Sequence, residues 1–139
     1  MAYITDGRIV KNFSLAEMTN KQAKDEIKLV LTPEVVEFAQ MMQELRDWYG
    51  KPLNVSSWYR TETFNRSVGG SSNSAHLDGR ACDIANIPKD RFDDFIIAWQ
   101  VICSIHNKVG GVNLYSWGLH FTDYEDKFGN KTFQIRDKR

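Results

Sequence analysis

Two imidazoles and a carboxylate, far apart in the chain, are the residues whose types and spacing point to chemistry. In the stretch Ser74-Ala-His76-Leu-Asp-Gly79-Arg-Ala81-Cys-Asp83, a histidine is followed seven positions on by an aspartate. Neutral imidazole and carboxylate are both good Zn²⁺ ligands, and a catalytic zinc takes three protein ligands with one position left open for water. The only other histidines are His106 and His120. His120 lies in a β-like run, Trp117-Gly-Leu-His120-Phe-Thr-Asp123, so a His76/Asp83/His120 zinc site can be assembled from two distant segments. Taken alone, a His…Asp pair reads more readily as hydrogen-bonded partners. Its context favours ligation: a Gly- and Ser-rich loop delivers the chain to His76, Gly79 permits close backbone approach, and small Ala81 leaves room beside the ligands.

Composition bounds what can surround such a site. The 139 residues are 42% hydrophobic and 12% aromatic, enough for a folded single domain over residues 1–139 with a sizeable core. Basic and acidic residues balance at 18 each, which gives no electrostatic reason to expect a nucleic-acid or anionic-membrane partner. No apolar run approaches the roughly 20 residues of a membrane span. The N-terminus lacks the basic-then-apolar layout of a secretory signal, so synthesis and retention in the cytoplasm, or release by a signal-independent route, is expected. Cys82 and Cys103 are too few for a disulfide framework and are expected as buried thiols.

The elements that must position the three residues follow from local signals. Residues 13–19 read as a short helix started by Ser14, and 20–29 as a surface connection. Thr32-Pro33-Glu34 is a strong helix start, with an N-cap threonine, proline at the first helical position and an acid in the first turn. That helix runs to Tyr49 and stops at Gly50, with Val35, Phe38, Ala39, Met42, Leu45 and Tyr49 on one apolar face. Residues 52–56 read as a strand, 61–68 as a short helix, 69–74 as a loop and 81–85 as a strand. Alternation along that last strand puts Cys82 and Ile84 in the core if Asp83 faces a site. Pro88 opens a second long helix, whose stripe of Phe92, Phe95, Ile96, Trp99, Ile102 and Cys103 ends at His106, expected to be structural. Residues 112–115, 119–124 and 132–135 read as strands of an antiparallel sheet, with Gly129-Asn130 as the last turn. The class is α+β.

The block Ser74-x-His76-x-x-Gly79-x-Ala81-x-Asp83 resembles the zinc-binding motif of the D-Ala-D-Ala carboxypeptidase and dipeptidase family, whose fold is shared by the hedgehog signalling domain and murein endopeptidases. Upstream, Ser57-Trp58-Tyr59-Arg60-Thr61, then Asn65 and Val68-Gly69-Gly70, is similar to that family's Ser-Gly-Tyr-Arg-Ser…Asn…Val-Gly-Gly block, with Trp58 in place of glycine. Phe13-x-Leu15-x-Glu17-x-Thr19 resembles the opening of the phage and bacterial branch, so the likeness spans about residues 13 to 124. It implies a hedgehog/DD-peptidase-like fold, an antiparallel sheet with helices packed on one side. It implies His76, Asp83 and His120 as Zn²⁺ ligands and Arg60 as the cation for the substrate carbonyl or its oxyanion. Guanidinium suits that task, being always charged and offering paired planar donors. Ser74 is expected to hydrogen-bond the loop or a ligand.

The sequence departs from the family at the general base. A carboxylate three residues before the last histidine is the usual pattern, and here Trp117 holds that position. Asp123 becomes the nearest candidate and Glu125 the next, although alternation places Asp123 on the face opposite His120 unless a bulge re-aims it. The resulting expectation is a monomeric zinc peptidase acting on peptidoglycan stem peptides, as carboxypeptidase or endopeptidase, of a phage-endolysin type that reaches the cell wall after release. The competing reading is a catalytically impaired, zinc-containing module that binds cell wall or a partner protein.

Overall fold

The computed structural model describes residues 8–124 and 131–139; the expected turn at Gly129-Asn130 lies outside them. Strands β1 (Arg8–Val10) and β2 (Phe13–Ser14) form a small ribbon that runs into helix α1 (Leu15–Met18). Ser14 and Glu17 cap α1 reciprocally, each side chain taking an otherwise unpaired backbone N–H. Helix α2 (Pro33–Tyr49) begins where Thr32 accepts from the Val35 amide and ends at Gly50, which adopts the left-handed conformation at φ 76°. Helix α4 (Phe92–Ile105), the second long helix, follows the short α3 (Glu62–Ser67) and a 3₁₀ turn at Lys89–Arg91. No described helix is long and apolar enough to cross a membrane.

Five strands make the main sheet: β3 (Val55–Ser57), β4 (Ala81–Ile84), β5 (Gly111–Tyr115), β6 (Gly118–Thr122) and β7 (Gln134–Asp137), in the order β3-β4-β6-β5-β7. Cys82, Ile84, Val112, Leu114, Leu119 and Phe121 point from one face into the core. There α2 and α4 cover them, with Trp99 edge-on to Phe121 at 5.4 Å and Phe38 edge-on to Trp99 at 5.9 Å. The opposite face carries Asp83, Asn113 and His120. The expected parity of β4 therefore holds, and the two long helices do pack on one side.

One expectation about the sheet is corrected. It is mixed, because β7 lies parallel to β5. The reason is the occupancy of strand edges. β6 is paired on both sides, with β4 and β5. A strand following β6 thus cannot pair with it and joins an outer edge of the sheet, here that of β5, which lies nearer β6 than the edge of β3 does. The chain leaves β6 at Thr122, which sits opposite Gly111 at the start of β5, and crosses to enter β7 beside that same end. The direction of β7 is then that of β5.

Candidate metal centre

Neighbouring strands at one level carry the centre. Asp83 on β4 pairs in register with His120 on β6, so both side chains rise from the same face. His120 Nδ1 lies 2.8 Å from Asp83 Oδ1. His76 arrives from a 3₁₀ turn, Ala75–Asp78, that Ser74 caps by accepting from the His76 amide and that Gly79 closes at φ 74°. The His76 Nδ1–H donates to the Trp58 carbonyl. That bond fixes the tautomer and leaves Nε2 as a bare lone pair. Nε2 stands 3.2 Å from Asp83 Oδ2 yet is buried without a hydrogen-bond partner.

A lone pair aimed at a carboxylate oxygen in the interior is an arrangement that a cation between them would resolve. The ligand atoms of His76, Asp83 and His120 all lie within 4.8 Å of one another, against about 3.4 Å between donors of a tetrahedral zinc site. Two neutral imidazoles and a carboxylate are a donor set suited to such an ion, so the residues present fit a metal. His76 is 2% exposed and Asp83 5%, while the His120 ring is partly open to the cleft. Burial drives the His76 pKa down, towards the neutral form that ligates. Burial pushes the Asp83 carboxyl the other way, but the hydrogen bond from His120 and the His76 imidazole beside it prevail and hold it well below the usual carboxylate range.

Arg60 completes the cluster. Its Nη2 donates to Asp83 Oδ2 at 3.3 Å, its Nε to Ser57 Oγ at 3.0 Å and its Nη1 to Asn65 Oδ1 at 3.2 Å. The Arg60 amide also donates to the His76 carbonyl at 2.9 Å, tying the guanidinium's backbone to the ligand turn. Burial lowers the Arg60 pKa, opposed by the charge of Asp83; from so high a starting value it stays charged. Gly70 packs directly over this array, and a Cβ there would lie 2.0 Å from Asn65 Oδ1. The cleft above measures about 680 Å³ and is lined by Arg60, Ser74, Asn113, Tyr115, Trp117, Tyr124 and Arg136 among others.

Two residues gain meanings that spacing alone does not supply. Trp58, where the family pattern has glycine, is fully buried between Phe13 and Phe38, and its indole N–H donates to the Gly79 carbonyl at 2.8 Å. Its backbone holds the His76 ring and its side chain holds the end of the same turn. Asn65 joins Arg60 to the loop by donating to the Ser71 carbonyl at 2.9 Å. The signal for Asn65 was its place in the motif block. For Trp58 the departure from that block was itself the signal.

Asp123 is not brought to the cluster. Alternation along β6 turns it away from the cleft, and its Oδ1 accepts from Arg80 Nε at 2.9 Å while Oδ2 is buried without a partner. Burial raises the Asp123 pKa, with Arg80 opposing. This placement corrects the reading of Asp123 as the nearest candidate base: it keeps the face that alternation gives it, opposite His120, and bonds Arg80 instead of approaching the ligands. Glu125 lies outside the described residues. Trp117 is 42% exposed and stacks on Tyr115 at 4.9 Å at the rim of the cleft. His106 sits between Glu37 and Glu44 of α2, at 2.9 and 2.8 Å, as a structural tie between the long helices. Both cysteines are free and buried, and burial pushes the Cys103 thiol up to about 12.

In a mixed α+β fold, a His/Asp/His cluster beneath an arginine is a candidate metal site. The family model described as Peptidase M15 matches residues 11–112, most of the chain, and the protein belongs to that family. The matched segment contains Arg60, His76 and Asp83 and ends before His120. No curated protein matches the chain.

Proposed function

We propose that the protein is a zinc-dependent peptidase that hydrolyses stem peptides of peptidoglycan, as a D,D-carboxypeptidase or a murein endopeptidase. The observation that carries this reading is the convergence of His76, Asp83 and His120 to within 4.8 Å, with an orphaned imidazole nitrogen at the centre. Zinc held there supplies a Lewis acid that polarises a carbonyl and acidifies water. The chain's own contribution begins with Trp58, whose carbonyl keeps His76 in the tautomer that ligates. Asp83, besides ligating, orients Arg60. The Arg60 guanidinium, braced by Ser57 and Asn65, presents fixed donors to the charge that grows on the carbonyl oxygen. Donors organised before reaction favour the transition state over the substrate. Ser74 holds the loop that forms one wall of the cleft. Asp123, bound to Arg80, serves structure, which leaves Glu125, the second candidate of the sequence, for proton transfer. The fold we assign is the hedgehog/DD-peptidase type in one monomeric unit, and a phage-type lysin is the biological setting that fits it.

One observation favours a second reading. Among the described residues, Asp83 is the only carboxylate lining the cleft, as befits a zinc-containing module that binds cell wall without cutting it. Metal analysis and murein digestion separate the outcomes. About one zinc per chain, lost in His76→Ala, together with new free amines from purified murein, supports the peptidase. Zinc without released amines establishes the binding module. Absence of stoichiometric zinc overturns both.

A further inference from the structure

The hairpin that carries His120 also carries an aromatic surface. Alternation along β5 puts Gly111, Asn113 and Tyr115 on one face, and Asn113 stands opposite His120. Tyr115 therefore rises on the cleft side one pleat repeat beyond the ligands, about 7 Å along the strand. Two residues, Ser116 and Trp117, link β5 to β6. The Trp117 ring lies over that of Tyr115, with centroids 4.9 Å apart and planes 12° from parallel. Both residues line the cleft. Tyr115 covers one face of the indole, and with 42% of Trp117 exposed the other face is open. The hairpin tip is held down at Gly118, where a Cβ would meet the Ile84 carbonyl oxygen at 2.1 Å. The aromatic platform is thus fixed to the strand that bears Asp83.

Place and surroundings set this surface apart from the other tryptophans. Trp58 and Trp99 are core residues, and Trp48 sits on α2, edge-on to Phe95. Of the four, only Trp117 lines the cleft, and it does so at the position where the family pattern has a carboxylate. The cleft also offers neutral hydrogen-bonding groups, among them Asn73, Ser74, Asn113 and Thr122. An apolar side chain is best received by a concave pocket that excludes water from every side. A flat, open aromatic face beside amides and hydroxyls fits a different ligand: a ring that is apolar on its face and polar around its edge. A pyranose is such a ring, since its C–H bonds meet the negative face of the indole while its hydroxyl and amide substituents point outward.

Building on the peptidase reading above, we propose that Trp117, backed by Tyr115, is a subsite for a neutral pyranose ring, the N-acetylated sugar to which the substrate peptide is joined. The span from the ligands to the platform is covered by two to three residues of extended peptide, at about 3.3 Å each, so sugar and cut bond are engaged together. Stacking there is the same before and during reaction, and it acts on KM rather than on kcat.

The test uses the zinc-loaded full chain and one synthetic stem peptide with three different caps on its amino terminus. The caps are acetyl, N-acetylmuramoyl, and cyclohexylacetyl as an apolar ring of similar size. In the wild type the muramoyl cap lowers KM about tenfold relative to acetyl, the effect of removing about 50 Å² of apolar surface from water, with kcat little changed. The cyclohexylacetyl cap falls short of that gain. Trp117→Ala brings the muramoyl and acetyl peptides to the same KM, Trp117→Phe keeps part of the difference, and zinc content and Tm stay at wild-type values. The Trp117 indole N–H signal in NMR, identified by its absence from Trp117→Phe, shifts with the muramoyl peptide at concentrations where the acetyl peptide leaves it in place. Equal KM values for the muramoyl and acetyl peptides in the wild type overturn the sugar site while the peptidase reading stands, even if Trp117→Ala does not fold. A cyclohexylacetyl cap that matches the muramoyl cap also overturns it, as does a Trp117→Ala that keeps the tenfold difference. If the zinc form cuts none of the three, the peptidase reading falls, and the indole signal alone decides the sugar site: a shift upholds it, and no shift overturns it.

Discussion

Asp83 and Asp123 are both buried aspartates beside an arginine, and their electrostatics run in opposite directions. Asp83 is 5% exposed and is held well below the usual carboxylate range, although burial opposes this. Asp123 is 2% exposed and is raised, with burial as the leading cause. The difference lies in how many donors reach the two oxygens. Asp83 has His120 on Oδ1 and Arg60 on Oδ2, with His76 beside it, whereas Asp123 has Arg80 on one oxygen and nothing on the other. An arginine by itself does not offset the desolvation of a carboxylate; a surrounding set of donors does. Of the two, only Asp83 faces the cleft.

The largest test of this contrast replaces each in turn. Asp83→Asn is expected to lose stoichiometric zinc and more than about a hundredfold in activity, beyond what loss of an outer-shell partner costs. Asp123→Asn is expected to retain both within about twofold, since an amide oxygen still accepts from Arg80. Metal analysis and murein hydrolysis on the two proteins decide it, and equal losses would erase the distinction. Next in size is Arg60→Ala, expected to lower kcat by about 10²–10³ with zinc retained, the scale of a missing oxyanion donor; steady-state kinetics with a metal assay measures this. Trp58→Phe keeps the buried ring but leaves the Gly79 carbonyl without its donor, at about 1–3 kcal/mol of stability by chemical denaturation.

Two smaller effects depend on pH. The Asp123 pKa is raised in the folded protein above its ordinary 3.8. The folded state therefore holds the proton more tightly, and this group's contribution to stability falls as pH rises from 3.8 through the folded value. Asp123→Asn should flatten that part of a Tm–pH profile and stand level with or above wild type at neutral pH. His106 is the smallest case. Burial opposes its charging, but hydrogen bonds to Glu37 and Glu44 win and raise it above 6.5. Its stabilising effect is full below 6.5 and disappears as pH rises through the folded value. His106→Ala should thus lower Tm more at about pH 5.5 than at about pH 8.5, and the reverse order would remove the α2–α4 tie as the cause.

Much of this architecture was legible locally. Thr32-Pro33 and Gly50 bound α2, and Ser14 with Glu17 starts α1, because capping depends on residues a few positions apart. The parity of β4 separated Asp83 from Cys82 for the same reason. His120 became a partner of Asp83 through the family's pattern, and the β4–β6 register then shows how the two meet. Trp58 as the brace of the ligand turn and Arg80 as the partner of Asp123 were not legible, since both join segments far apart in the chain.

By itself, the sequence determined which residue types were available as ligands, where the helices begin and end, and which face of each strand a side chain takes. Caps and alternation are settled by the backbone of a few neighbouring residues, so they can be read without the fold. The tertiary structure alone decided which strand edges remained for β7. It also decided how Asp83 and His120 meet, side by side in the β4–β6 register. Both follow from pairing between distant segments, where the hydrogen-bonding groups already taken by one strand dictate what is left for the next.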